Sequence, residues 1–416
     1  MTQRAVAILA VLAICLTAQA ETSDSLSHWG GTIGVSPGIA IAVDKYQKKW
    51  LKGKNNLSLE AALTYRALPT DSDAFAADYG YPTFSAGVKY SFNHKVTMHR
   101  SPDPAWGMAE EVDYDSHMGN TIAVYGAFAR PLLRSDRWEA DAAMQVGVAY
   151  SHTKYNEINN VDNEMVGSRW LIYFGLGTHV TYRIAEQWGL KAGVEFWHVS
   201  NGALNRPNKG ANFIAPTVGI AYMPYWNSTV WSRTGKYNPP FDKHLYLNFA
   251  LGVGAKTLFE EWNETQFHTP KGEPGYRTGK FGLFMAYSAQ ADIMYRYARR
   301  WASGVGVDVF YGASASRVER MEKQRGISST YSPWSVGVGL KHQAFYNRWS
   351  LAMSLGWYLY RHMGVTAENV EKPYYERIGV QYTLPGKMGL TFGGFVKAHL
   401  TKADLTEFIV SIPVRL

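Results

Sequence analysis

Apolar and polar residues alternate along most of the chain after residue 29, with the period of two expected of strands that have one apolar and one polar face. About sixteen segments carry the pattern: 30–43, 56–67, 82–92, 120–131, 137–151, 169–183, 188–200, 212–223, 244–258, 280–296, 301–312, 333–345, 348–361, 375–383, 387–399 and 404–415. One of the clearest sets Trp138, Ala140, Ala142, Met144, Val146, Val148 and Tyr150 against Glu139, Asp141, Ala143, Gln145, Gly147, Ala149 and Ser151. Alternation alone suits a soluble sandwich as well as a barrel, so the connections decide. Tight turns at Leu133–Asp136, Ile184–Gln187, Ala298–Arg300, Tyr346–Asn347 and Leu384–Lys387 take turns with long polar loops near 93–119, 152–168, 200–212, 259–279, 313–332 and 362–374. Short turns on one rim and long loops on the other are the pattern of an outer-membrane barrel, with the long loops outside.

The expected fold is therefore all-β, an antiparallel transmembrane β-barrel of about sixteen strands. Two connections, 68–81 and 224–243, are long on the short-turn side. Eight segments precede the second and eight follow it, which makes it a seam. The halves also resemble one another, with Gly193–His198 matching Gly306–Tyr311. Two linked eight-stranded units, 29–224 and 243–416, are thus the alternative to a single barrel that the second unit completes. The last segment alternates to the end, where Leu416 stands in place of the terminal aromatic residue that such barrels often carry.

Composition agrees. The chain has 27 Tyr, 14 Trp, 18 Phe and 39 Gly with only 46% hydrophobic residues, which suits short amphipathic strands with aromatic girdles. Residues 1–20 read as a signal peptide, with Arg4, an apolar core from Ala5 to Leu16 and a small-x-small site at Ala18–Ala20. The sole cysteine, Cys15, lies inside it, so disulfide and thiol chemistry are excluded from the exported chain. No later segment has the apolar length of a membrane helix. The net charge of +8 drops by one with Arg4 and reads first as solvated loop lysines and arginines, with anionic surfaces such as phosphorylated headgroups as the alternative, while nucleic acid is excluded by export and by the lack of a matching motif.

Candidate chemistry concentrates at 197–212. Leu190, Ala192, Val194 and Phe196 form an apolar series that His198 and Ser200 continue, which puts both on the side facing lipid. Two apart on one strand, their Cα atoms lie about 6.5–7 Å from each other, within reach for an imidazole to act as general base toward a hydroxyl. His399 and Thr401 repeat the spacing, but His399 falls in the polar series with Lys387, Thr391 and Lys397 and is read as structural and facing the lumen. The remaining histidines make no metal-ligand pattern, the Glu110, Glu111, Asp113, Asp115 and His117 cluster reads as an acidic surface loop, and Gly252-Val253-Gly254 sits inside a strand rather than before a helix. No cofactor is expected.

The run His198-Val199-Ser200-Asn201-Gly202, followed by Pro207-Asn208-Lys209-Gly210 and a strand, resembles the lipid A 3-O-deacylase (PagL-like) family over about 29–224. The resemblance implies an outer-membrane esterase that acts on lipid A of the outer leaflet, with Ser200 as nucleophile, His198 as base, and Asn201, Gly202 and Asn208 shaping the oxyanion site. Where the family carries a Glu, fourteen residues after the histidine, this chain has Asn212. An Asn orients an imidazole without supplying negative charge. The readings left open are a slower enzyme, one that recruits Asp162 or Glu164 from the neighbouring loop, or a pore or structural barrel with a degraded motif.

Overall fold

The structure, a computed structural model, describes residues 28–107, 110–229, 239–400 and 402–416. The expected signal peptide lies outside the described residues. All sixteen expected segments are strands. In the first unit they are Trp29–Ile41 (β1), Leu51–Arg66 (β2), Thr83–Phe92 (β3), Thr121–Arg134 (β6), Trp138–Ser151 (β7), Trp170–Arg183 (β8), Trp188–Ser200 (β9) and Ala211–Tyr222 (β10), with two short additions, Val96–Met98 (β4) and Ser116–His117 (β5). The second unit has His244–Lys256 (β11), Phe284–Ala298 (β12), Trp301–Gly312 (β13), Tyr331–Tyr346 (β14), Trp349–Met363 (β15), Tyr374–Thr383 (β16), Thr391–His399 (β17) and Lys402–Arg415 (β18).

The strand pairing realises the alternative of two eight-stranded units, not one sixteen-stranded ring. In the first unit β1 pairs with both β10 and β2, closing the order β1-β10-β9-β8-β7-β6-β3-β2. In the second unit β18 returns to β11, from Tyr246↔Arg415 to Ala255↔Thr406, so residues 243–416 complete a barrel of their own. Each closure removes both free edges of its sheet, and eight strands enclose an interior that side chains alone can fill.

Outward residues of the first unit are the expected apolar series, with Val124, Val148, Leu176, Leu190, Val194, Val218 and Ile220 all exposed. Aromatic pairs mark the short-turn rim (Trp138 with Tyr182, Trp188 with Tyr222, Trp29 with Tyr65) and the loop rim (Tyr150 with Trp170), the two belts of a membrane barrel. Among the described residues no helix is long and apolar enough to cross a membrane, so the spans are strands.

Ionic and aromatic side chains crowd both interiors, and in the second unit a cavity lined by Gln290, Asp292, Lys341 and Gln381 remains among them. In the first unit the Lys89 ammonium lies 2.6 Å from Glu195 and 3.0 Å from Glu60, and His179 bridges Asp141 (3.0 Å) and Glu195 (3.1 Å). Toward the loop rim the interior becomes apolar, where Trp197 stacks on Phe213 among Tyr173, Met98, Met118 and Met165. In the second unit Asp308 accepts from Lys341 (2.7 Å), Arg377 (3.1 Å) and Tyr375, and Arg377 continues to Glu407 (2.6 Å). His399 faces inward there, buried against the Tyr358 hydroxyl at 3.0 Å, as its place in the polar series requires. The long connection at 68–81 is explained by its burial: Leu68, Ala76, Ala77, Tyr79 and Tyr81 tuck in, and Arg66 donates to the Tyr81 carbonyl.

Candidate active site

β9 ends at Ser200 on the loop rim, and its neighbours fix the surroundings of His198. Across one ladder His198 faces Asn212 at the start of β10; across the other it faces Phe174 of β8, while Ser200 faces Ile172. Leu190, Val194, Ile214 and Val218 are exposed on the same outward face, whereas Glu195, Trp197 and Val199 point inside. By parity the imidazole and hydroxyl take the outward side of β9, where His198 is half-buried and Ser200 is buried at the loop rim.

His198 Nδ1 lies 2.8 Å from Asn212 Oδ1. A carbonyl oxygen only accepts, so Nδ1 carries the hydrogen and Nε2 keeps its lone pair. The other edge of the ring is bounded by Gly210, whose φ is +70° and where an added Cβ would fall 2.5 Å from His198 Cε1 and 3.2 Å from Nε2. Both the left-handed backbone and the close approach call for glycine.

Two elements hold this backbone in place. The loop before β8 supplies Glu164 and Met165, whose carbonyls accept from Lys209 N (3.1 Å) and Gly210 N (3.0 Å). A six-residue helix, Lys45–Trp50 (α1), follows β1; Asp44 caps it by accepting from Gln47 N at 2.7 Å, and Tyr46, Gln47 and Trp50 form its buried face. Gln47 Nε2 donates to the Gly210 carbonyl at 2.7 Å.

Asp162 and Glu164 are not recruited to the imidazole. Asp162 accepts from Arg100 N at 3.0 Å, and Glu164 lies 3.0 Å from Arg100 Nη1 and 3.5 Å from Lys209 Nζ. Burial pushes the Glu164 carboxyl up, while Lys209 and Arg100 pull the other way. Arg100 is itself buried between the two acids, so both carboxylates are committed to holding the loop.

Of the expected site residues, the first unit brings His198 and Asn212 into contact; Ser200 follows two residues on along β9, 9% exposed, with Asn201 buried next in the chain. Gly202 and Asn208 belong to a segment, Gly202–Asn208, that groups with the second unit. There the Gly202 carbonyl accepts from the Thr406 hydroxyl at 2.6 Å, the Ala203 carbonyl from Thr257 N at 2.9 Å, and Arg206 donates to the Thr257 carbonyl at 3.0 Å. Sequence reasoning missed Gln47, Arg100 and Met165. Their partners lie 45–163 residues away along the chain, and no local spacing announces them.

The fold is that of an outer-membrane β-barrel, and the family matches give the class, the acyl-ester hydrolases. The model of the lipid A 3-O-deacylase (PagL) family matches residues 80–221, which include the whole of the 197–212 motif, and that of the acyloxyacyl hydrolase C-terminal domain matches residues 244–413. Over residues 80–221 the chain matches the lipid A 3-O-deacylase family. No curated protein matches it by sequence. Among solved structures it is similar to the outer membrane enzyme PagL, at 14% identity over 47% of this chain and 99% of that one with a TM-score of 0.27. It is also similar to the Pseudomonas putida toluene transporter TodX (8% identity, 94% of this chain and 90% of that one, TM-score 0.17) and to the copper transporter OprC (12%, 88% and 66%, TM-score 0.23).

Proposed function

We propose that this chain is a serine esterase that removes an ester-linked acyl chain from lipid A in the outer leaflet, with Ser200 as nucleophile, His198 as general base and Asn212 as the residue that orients the base. The observation that carries this reading is the 2.8 Å contact from His198 Nδ1 to Asn212 Oδ1 on the outward face, two residues from Ser200. That contact leaves Nε2 as the proton acceptor. Ser200 Oγ attacks the ester carbonyl carbon while its proton passes to Nε2; the tetrahedral oxyanion collapses, the C–O bond breaks, and the imidazolium returns the proton to the departing alkoxide. Water then repeats the sequence on the acyl-enzyme, releasing the fatty acid and restoring Ser200. Backbone N–H groups with Asn201 are assigned to the oxyanion.

The outward placement favours a substrate anchored in the membrane, since a soluble ester has no need of a site on the lipid side. The ion-paired interiors speak against the pore alternative, because each buried charge described above has an opposite charge in contact. The test is mass spectrometry of lipid A after incubation with the refolded protein and with Ser200→Ala. Loss of one acyl mass by the first and not the second is expected; no mass loss from a folded barrel overturns the reading.

A further inference from the structure

The imidazole of His198 is held on two edges, and only one of the two supports belongs to a strand. Asn212 holds Nδ1 from across the ladder. On the Cε1–Nε2 side stands the backbone of Gly210, which has no side chain with which to fix itself and occupies a left-handed conformation at φ +70°. Its position depends on what grips its two polar groups. Gly210 N donates to the Met165 carbonyl at 3.0 Å, and Met165 is anchored in the apolar interior below the rim. The Gly210 carbonyl accepts from Gln47 Nε2 at 2.7 Å.

Gln47 is suited to that task. It is 1% exposed, and both ends of its amide are engaged, since Oε1 accepts from Val43 N at 3.0 Å while Nε2 reaches Gly210. The amide therefore cannot turn over without placing an oxygen against the Gly210 carbonyl and an NH2 group against the Val43 N–H. The helix bearing it is locked independently: Asp44 caps its start, the Tyr46 hydroxyl donates to the Asp162 carbonyl, and the Lys209 ammonium lies 5.1 Å above the Tyr46 ring.

We propose that Gln47 is a positioning residue for the esterase, fixing the Gly210 backbone as a wall against the His198 ring so that Nε2, the proton acceptor, keeps one orientation. The inference rests on the assignment of His198 as the base. A wall displaced by about 1 Å is enough to cost a reaction on the order of a hundredfold, so loss of the Gln47 donor alone is expected to lower kcat about tenfold or more.

Two variants separate positioning from folding. Gln47→Glu retains an acceptor for Val43 N and, when ionised, lacks the donor to Gly210; Gln47→Met fills the volume and lacks both. Each is compared with the unaltered chain for kcat and KM on lipid A, for barrel integrity by resistance to unfolding in detergent, and for the 15N signals of the His198 ring. Expected are an intact barrel, a kcat reduced about tenfold with KM unchanged, and displaced or broadened ring signals in both variants. Unaltered kcat and unaltered ring signals in Gln47→Met overturn the proposal. If the unaltered chain does not hydrolyse lipid A, the esterase reading fails separately, and the ring signals still decide whether Gln47 fixes the imidazole.

Discussion

Asn212 sets how strongly the base can be supported, and exchanging it for an acid should accelerate the reaction. Its Oδ1 already lies 2.8 Å from His198 Nδ1 across directly paired positions, so Asn212→Asp places a carboxylate oxygen at the same point with no change of reach. A neutral hydrogen bond contributes about 0.5–1.5 kcal/mol and one to a charged group about 1.5–3 kcal/mol. The charged form matters most when the ring becomes imidazolium in the transition state. The difference of about 1–2 kcal/mol corresponds to a rise in kcat/KM of about fivefold to thirtyfold. Asn212→Glu should gain less, because its extra methylene overshoots a ring that the shorter side chain already reaches. Asn212→Ala removes the orienting bond and should lower kcat/KM about a hundredfold. The assay is acyl release from lipid A measured by mass spectrometry under initial-rate conditions, with folding checked in parallel because Asn212 is only 6% exposed and a buried carboxylate carries a desolvation cost. An aspartate variant that folds and yet reacts no faster, together with an alanine variant as fast as the unaltered chain, would refute the idea that this contact orients the base.

Three further outcomes are expected. Gly210→Ala puts a methyl group 2.5 Å from His198 Cε1 in a left-handed backbone and should abolish most turnover while the barrel still resists unfolding in detergent. Arg100→Met leaves the buried Asp162 and Glu164 without their shared cation and should destabilise the first unit by about 3–5 kcal/mol, read from the urea midpoint of refolded protein. Asp308→Leu removes the carboxylate that Lys341 and Arg377 share inside the second barrel, leaving Lys341 with Asp292 at 3.5 Å and Arg377 with Glu407 at 2.6 Å, so a smaller loss is expected by the same measurement; an unchanged midpoint would show that these remaining partners suffice.

Strand existence was legible because a period of two survives wherever one face meets lipid and the other meets packed interior, as Leu190 to Ser200 illustrates. Closure was not. Val414 and Val410 would show the same alternation whether β18 paired with β11 or with β1, since the choice of partner is made by backbone hydrogen bonds that leave no mark on side-chain pattern. The pairing of His198 with Asn212 was legible for the same reason, since parity and register set them opposite one another. What holds them was hidden, because Gln47 sits on a short helix with no repeating pattern and Arg100 in an irregular loop, each with partners far away along the chain.

The outward side of β9, to which the proposed site belongs, also fixes the geometry of encounter. Molecules reach an outer wall by sliding along it, in two dimensions, and chains still seated among their neighbours in the leaflet need not be extracted into water. For the proposed reaction, velocity then follows the mole fraction of substrate in the surrounding membrane or micelle rather than its bulk concentration. Adding inert detergent at constant total lipid dilutes that surface and slows turnover, whereas enlarging the vessel at constant composition leaves the turnover of each barrel unchanged.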